Sequence, residues 1–224
     1  MQTPTWVFFA LTLSGLHSPL LRAQESRHPV TGRVYAGVMG VGGAPWLERS
    51  GRENEEHTRL AVRLLDLRPG MVVADVGAGS GYYTEMLARQ VGPGGRVYAT
   101  DIQPGMIRLL QERVSKARLD HVEVLLGYEA DPRLPADALD LILLADVYHE
   151  FSKPREMLRA LRASLKPGGR LVLLEFRKED PSVPIRPEHK MSVAEVRAEL
   201  EPEGLRFERV LPGLPWQHIL IFLK

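Results

Sequence analysis

The chain has 224 residues, 44% hydrophobic and 25% charged, an ordinary balance for a folded protein with one sizeable core. Its formal net charge is +1 and its basic residues are scattered, which argues against a nucleic-acid partner, since that partner needs a concentrated basic face. There is no cysteine, so disulfides, thiolate nucleophiles and cysteine-held metals are excluded.

Residues 6–16, WVFFALTLSGL, form an uncharged apolar run. A helix of that length reaches about 16 Å, too short for a bilayer core of about 30 Å. Followed by Leu21-Arg22-Ala23, the run reads as a secretory signal over residues 1–23, cut after Ala23. It predicts export to the periplasm or cell envelope, or a cytoplasmic protein if the leader stays uncleaved. An uncleaved anchor or a misassigned start is the competing reading, because residues 1–5 carry no Lys or Arg and Leu21 is large for its place. Residues 24–52 are rich in Gly, Arg and Pro, with Tyr35, Met39 and Trp46 interleaved. They predict an irregular segment that closes as a lid or packs its aromatics on the sheet. The remaining 53–224 are expected to form the functional domain.

Leu60, Ala61, Leu64 and Leu65 have helical spacing, so a helix is expected over 53–67, stopped by Arg68-Pro69-Gly70. A regular alternation follows: a strand at 72–76, a glycine-rich turn, a helix at 82–90, and a strand at 96–100 ending at Asp101. A helix at 104–117 starts suitably at Pro104. Strands at 122–126 and 139–145 come next, then a helix at 153–165 closed by Lys166-Pro167-Gly168-Gly169, then a strand at 170–176. Short apolar strands alternating with helices predict a doubly wound α/β fold, its parallel sheet covered on both faces. The tail differs. A helix is expected at 192–200 and strands at 205–210 and 218–223. Pro212-Gly213-Leu214-Pro215 leaves no room for a crossover helix, so the last two strands should be antiparallel.

Asp75-Val76-Gly77-Ala78-Gly79-Ser80-Gly81 joins the first strand to its helix. Its glycines permit positive φ and close approach of a ligand. In an open α/β sheet, ligands bind at the carboxyl ends of the strands. The dinucleotide spacing G-x-G-x-x-G fails at Tyr82, and no phosphate loop is present. Asp75 would repel a pyrophosphate and suits a ligand with positive charge.

These residues resemble the class I methyltransferases. Asp75, Gly77, Gly79 and Gly81 match the family's acidic-x-G-x-G-x-G motif. Asp101 in VYATD matches the acidic end of its second strand, and Leu165-Lys166-Pro167-Gly168-Gly169-Arg170-Leu171 matches L-x-P-G-G-x-L. The resemblance covers about 53–224 and looks closest to the small-molecule branch, including quinone-biosynthesis C-methyltransferases. It implies a mostly parallel, seven-stranded Rossmann-like sheet with an antiparallel last strand, and S-adenosyl-L-methionine as cofactor. It also implies that Asp75 and the turn Gly77, Ala78, Gly79, Gly81 hold the methionine end, with Tyr82 counted among the cofactor-binding residues. Asp101 would take the ribose hydroxyls or serve as a helix cap, Ile102 and Met106 would border the adenine, and Glu129 or Asp131 would meet the adenine amino group.

The end of the fourth strand lies beside the reactive methyl in the family. Asp146, Tyr148, His149 and Glu150 are therefore the acceptor-side candidates, with His149, Tyr148 and Asp146 the expected catalytic set. His149 suits a general base, its ordinary pKa being near 6.5, or it orients the following helix. The proline-rich stretch 179–187 is long for a connection and predicts a substrate-side flap. His189-Lys190 lies on the acceptor side or at a solvated helix entry. No spacing of histidines and carboxylates resembles a metal site, so none is expected. The expected partner is a small-molecule methyl acceptor. The competing functions are non-catalytic binding of the same cofactor and an NAD-dependent oxidoreductase.

Overall fold

The structure, a computed structural model, describes residues 27–224; the expected leader at 1–23 lies outside them. Three short helices come first: α1 (Ala44–Leu47), α2 (Arg52–Glu56) and α3 (Thr58–Leu64). The single helix expected at 53–67 is thus broken. His57 sits at φ 50°, in the left-handed region, between α2 and α3. Glu53 explains the break, because its carboxylate accepts the Thr58 hydroxyl and the Arg59 N–H at 3.1 Å. It thereby satisfies donors that a new helix start leaves open.

The alternation then follows the expected order: β1 (Val72–Val76), α4 (Tyr82–Val91), β2 (Arg96–Asp101), α5 (Pro104–Lys116), β3 (Val122–Leu126), β4 (Leu139–Ala145), α6 (Pro154–Ser164) and β5 (Leu165–Arg177). After these come β6 (Lys190–Met191), α7 (Val193–Leu200), β7 (Arg206–Leu211) and β8 (Gln217–Leu223). The sheet order is β3-β2-β1-β4-β5-β8-β7, with β6 pairing beyond the path on β5. β1 to β5 run parallel, and β8 is antiparallel to both β5 and β7.

Two details depart from the expected elements. Lys166 to Gly169 is no separate turn but a bulge inside β5, where the register on β4 jumps from Leu139↔Leu165 to Leu141↔Arg170. The two-residue β6, pairing Phe176↔Lys190 and Arg177↔Met191, was not expected. It draws the 187–191 segment beside the carboxyl end of β5.

Side chains of a strand alternate between faces. Ala74, Val76, Ile142 and Leu144 pack with Leu158 and Leu161 of α6 and Val196 and Leu200 of α7. Val73, Leu141, Leu143 and Val172 pack on the other face with Ala61 of α3 and Leu87, Ala88 and Val91 of α4. Each fully buried aliphatic side chain contributes roughly 1.5–3 kcal/mol. α7 opens with a capping box, Ser192 and Glu195 each bonding the other's backbone N–H. Among the described residues no helix is long and apolar enough to cross a membrane.

Candidate active site

The strand order reverses between β1 and β4, so a crevice opens at their carboxyl ends. A cavity of about 740 Å³ occupies it, within the range of roughly 300–1,000 Å³ typical for small-molecule sites. Its wall takes residues from the ends of β1 to β5, from the segment before β6, and from the N-terminal segment through Met39, Trp46, Arg52 and Glu56.

The turn after β1 is tied to β2. Thr100 O accepts the N–H groups of Gly77 at 2.8 Å and Ala78 at 3.0 Å. Gly77 (φ 72°) and Gly79 (φ 56°) both lie in the left-handed region. A Cβ on Gly77 would fall inside the Val147 side chain, and one on Gly79 would lie 2.8 Å from Leu47 Cδ1. Glycine is therefore required at both. Asp101 Oδ2 accepts the Gly79 N–H at 3.0 Å, and Oδ1 accepts the Gln103 N–H at 2.8 Å. The carboxylate thus ties the turn to the entry of α5 and still has lone pairs for the cavity. Burial raises its pKa, and the backbone donors work against that rise.

Asp75 lies elsewhere than expected. It shares a face with Val73, toward α4, and accepts the Thr84 hydroxyl at 2.6 Å. It is buried away from the cavity wall, and burial pushes its carboxyl up to about 6. It fixes α4 against β1. Ala78, Gly81 and Tyr82 are also off the wall. Gly81 packs on Leu110, where a Cβ would lie 2.5 Å from Cδ1. The Tyr82 hydroxyl sits 3.2 Å from Thr58 Oγ1, and the Arg52 guanidinium lies 4.4 Å from its ring centroid. Ile102 and Met106 are on the wall. Of the two acidic candidates after β3, Glu129 is on the wall and pairs with Lys153 at 3.3 Å. Asp131 instead caps its own turn through the Arg133 N–H at 2.7 Å.

At the end of β4, Asp146 holds φ 52°, an uncommon conformation for a residue with a side chain. Its Oδ2 accepts from Gln217 Nε2 at 2.6 Å, while the buried Oδ1 has no protein partner. Burial, then the nearby Glu56 and Glu175, push its pKa well up. An unpaired buried oxygen on a residue of the cavity wall calls for a polar partner from a ligand. Tyr148, expected on the acceptor side, is fully buried and off the wall. Its hydroxyl donates to Glu199 Oε2 at 2.9 Å, and Glu199 also takes Arg33 Nε at 2.8 Å. This cluster anchors the N-terminal segment.

His149 is on the wall. Its Nδ1 lies 2.7 Å from Glu175 Oε2 and its Nε2 lies 3.2 Å from His189 Nδ1. Burial alone would lower its pKa, but the Glu175 carboxylate prevails and raises it. Glu150 Oε1 accepts the Met39 N–H at 3.2 Å, and Met39 O accepts from Gln103 Nε2 at 2.9 Å. Met39 therefore bridges the ends of β4 and β2, and the N-terminal segment roofs the cavity. Glu175 and Glu56 were not expected as site residues, whereas Arg52 belongs to the segment expected as a lid and lines the cavity. Glu175 carried a signal, a carboxylate within the otherwise apolar run Leu171 to Phe176.

A sulfonium nucleoside fits these residues. Asp101, Asp146, Glu150 and Glu129 line the cavity with carboxyl groups, and Gly77 and Gly79 leave backbone open to it. Residues 74–171 match a family model described as a methyltransferase domain. Two curated relatives are similar over part of their length. A protein-L-isoaspartate O-methyltransferase of Methanothrix thermoacetophila is 34% identical over 110 residues, covering 49% of this chain and 50% of that protein. The ubiquinone/menaquinone biosynthesis C-methyltransferase UbiE of Hydrogenovibrio crunogenus is 31% identical over 121 residues, 54% and 48% respectively. The chain thus spans about half the length of the curated relatives it matches. A solved SAM-dependent methyltransferase of Aquifex aeolicus is 31% identical with a TM-score of 0.78, covering 83% of this chain and 99% of that one. With its motifs, sheet order and cavity in agreement, the chain belongs to the class I methyltransferases, whose methyl donor is S-adenosylmethionine.

Proposed function

We propose that this protein transfers a methyl group from S-adenosylmethionine to a small-molecule acceptor held at the ends of β4 and β5. The observation that carries this reading is the roof. The N-terminal segment crosses the cavity through Met39 and is anchored by Arg33 on Glu199. A roofed cavity of about 740 Å³ suits a small acceptor better than a folded macromolecule. The quinone-directed activity named for one relative agrees with that choice.

The donor supplies a methyl already activated on a sulfonium. The chain's residues then orient and desolvate. Gly79 and Asp101 position the donor's nucleoside end. Val147, Phe151 and Phe176 keep the acceptor side dry, which favours a transition state that loses positive charge. Glu175 fixes His149 so that Nε2 faces the cavity, where it accepts a proton from an acidic acceptor. Alignment of acceptor, methyl and sulfur supplies much of the rate.

The test is labelled donor incubated with whole-cell extract and the purified protein. Label is expected in the low-molecular-weight fraction. Label confined to protein or nucleic acid would overturn the small-molecule reading. Export is part of the same proposal and rests on residues 1–23 alone. Intact mass should show cleavage after Ala23 in an envelope fraction, and full-length protein in the cytosol would overturn it.

A further inference from the structure

His149, Glu150 and His189 reach one place on the cavity wall, with their ligand atoms all within 4.8 Å of one another. Spacing along the chain gave no hint of this, because two residues follow β4 and the third precedes β6. The pairing of β6 on β5 brings them together.

Each side chain is held for the task. Glu175 is fully buried, takes the Tyr148 N–H on Oε1 at 3.1 Å, and presents Oε2 to His149 Nδ1 at 2.7 Å. A carboxylate on one ring nitrogen fixes the tautomer and aims the other nitrogen's lone pair, the usual support of a metal-ligating histidine. The aimed atom, Nε2, lies 3.2 Å from His189 Nδ1. With metal–nitrogen bonds of about 2.0–2.1 Å, two imidazoles on one ion stand roughly 2.9–3.4 Å apart, between octahedral and tetrahedral angles. The Met39 N–H orients the Glu150 carboxylate on the same side.

We propose that His149, Glu150 and His189 bind one divalent transition-metal ion at the acceptor end of the cavity. Two imidazoles and one carboxylate favour Zn²⁺, Mn²⁺ or Fe²⁺ over Mg²⁺ or Ca²⁺, which prefer all-oxygen sets. Three protein ligands leave positions open to the cavity, as in catalytic rather than structural sites. The site stands without reference to the acceptor. Its use rests on the methyl-transfer reading, with His149 Nε2 then a ligand instead of the base: the ion would hold a hydroxyl or carbonyl oxygen of the acceptor and ease its deprotonation.

The experiment is metal titration of untagged, full-chain protein stripped with chelator, using Zn²⁺ and Mn²⁺ by calorimetry and Co²⁺ by visible absorption. One ion per chain is expected. His189→Ala and Glu150→Gln should each weaken it at least tenfold, and S-adenosylhomocysteine binding by His189→Ala should stay within threefold of wild type. Glu175→Gln should weaken the ion by roughly 10–100-fold through the ring it supports. The Co²⁺ spectrum of the unaltered protein reports imidazole ligation even if a variant fails to fold. No stoichiometric ion, or equal affinity in His189→Ala, would overturn the site. Metal binding with no methyl transfer would instead sink the proposed function and leave the site standing.

Discussion

Glu175 and His149 form a buried pair, Oε2 to Nδ1 at 2.7 Å, at the point where β5 passes the end of β4. Neither side chain is more than 3% exposed, so the pair sits where an unpaired charge would be expensive. The parallel register Ala145↔Leu174 makes the meeting possible by setting the residue after Leu174 level with the chain leaving β4. The pair links the central sheet to the acceptor end of the cavity.

Replacing Glu175 by Gln keeps the shape and removes the charge. Methyl-transfer turnover should fall by about 10–100-fold, the scale on which supporting carboxylates act. S-adenosylhomocysteine affinity, measured by calorimetry, should stay within threefold, because Glu175 does not touch the donor end. An equal loss of donor affinity would mean the pair merely holds the fold.

Asp101 is expected to carry donor affinity. Asp101→Ala removes the acceptor for ribose hydroxyls and leaves the Gly79 and Gln103 N–H groups without their partner. Hydrogen bonds to a charged group are worth roughly 1.5–3 kcal/mol each, so S-adenosylhomocysteine should bind about 100-fold more weakly or worse. Calorimetry showing affinity near wild type would remove Asp101 from the binding site.

Asp75 gives a stability prediction with a defined sign. Its carboxyl is pushed up to about 6 in the fold by burial, against an unfolded value of about 3.9. Between these values the folded state holds a proton that the unfolded state has released. Stability therefore falls as pH rises from about 4 to about 6 and is level above, the difference being on the order of 3 kcal/mol. Asp75→Asn keeps an acceptor for the Thr84 hydroxyl and abolishes this dependence. The variant's gain over wild type, from denaturant melts at several pH values, should grow across that window. A gain that does not change with pH would show that Asp75 is not the group being titrated.

The residues legible in the sequence were those whose roles are local. Gly77 and Gly79 announce a tight turn by their own backbone needs, and Asp101 announces a strand end. Asp75 was legible as a motif but not as a contact. Its direction follows from strand alternation, which sets it with Val73 toward Thr84 rather than toward the cavity. Glu175 was illegible as a site residue, and His189 was legible only as one of two alternatives, because their meeting with His149 depends on strand register and on a two-residue strand, neither of which leaves a periodic trace. The break at His57 was hidden for a related reason. Glu53 caps α3 across the break, and apolar spacing in the 53–67 window does not register a cap.

Tyr148 tests the line between chemistry and support. Its hydroxyl donates to Glu199, which is also held by Arg33 and by Thr31. Tyr148→Phe removes one donor and leaves Glu199 paired, so stability should drop by only about 1–2 kcal/mol. Because the ring lies off the cavity wall, turnover should stay within twofold of wild type at a temperature where the variant is folded. The anchor of the roof is at Arg33, not at this hydroxyl: Arg33→Met should loosen residues 27–47, raising their hydrogen exchange, and weaken donor binding more than Tyr148→Phe does. If Tyr148→Phe abolished methyl transfer with its melting temperature unchanged, the hydroxyl would have to reach the reacting atoms, and the assignment of Tyr148 to the anchor would be wrong.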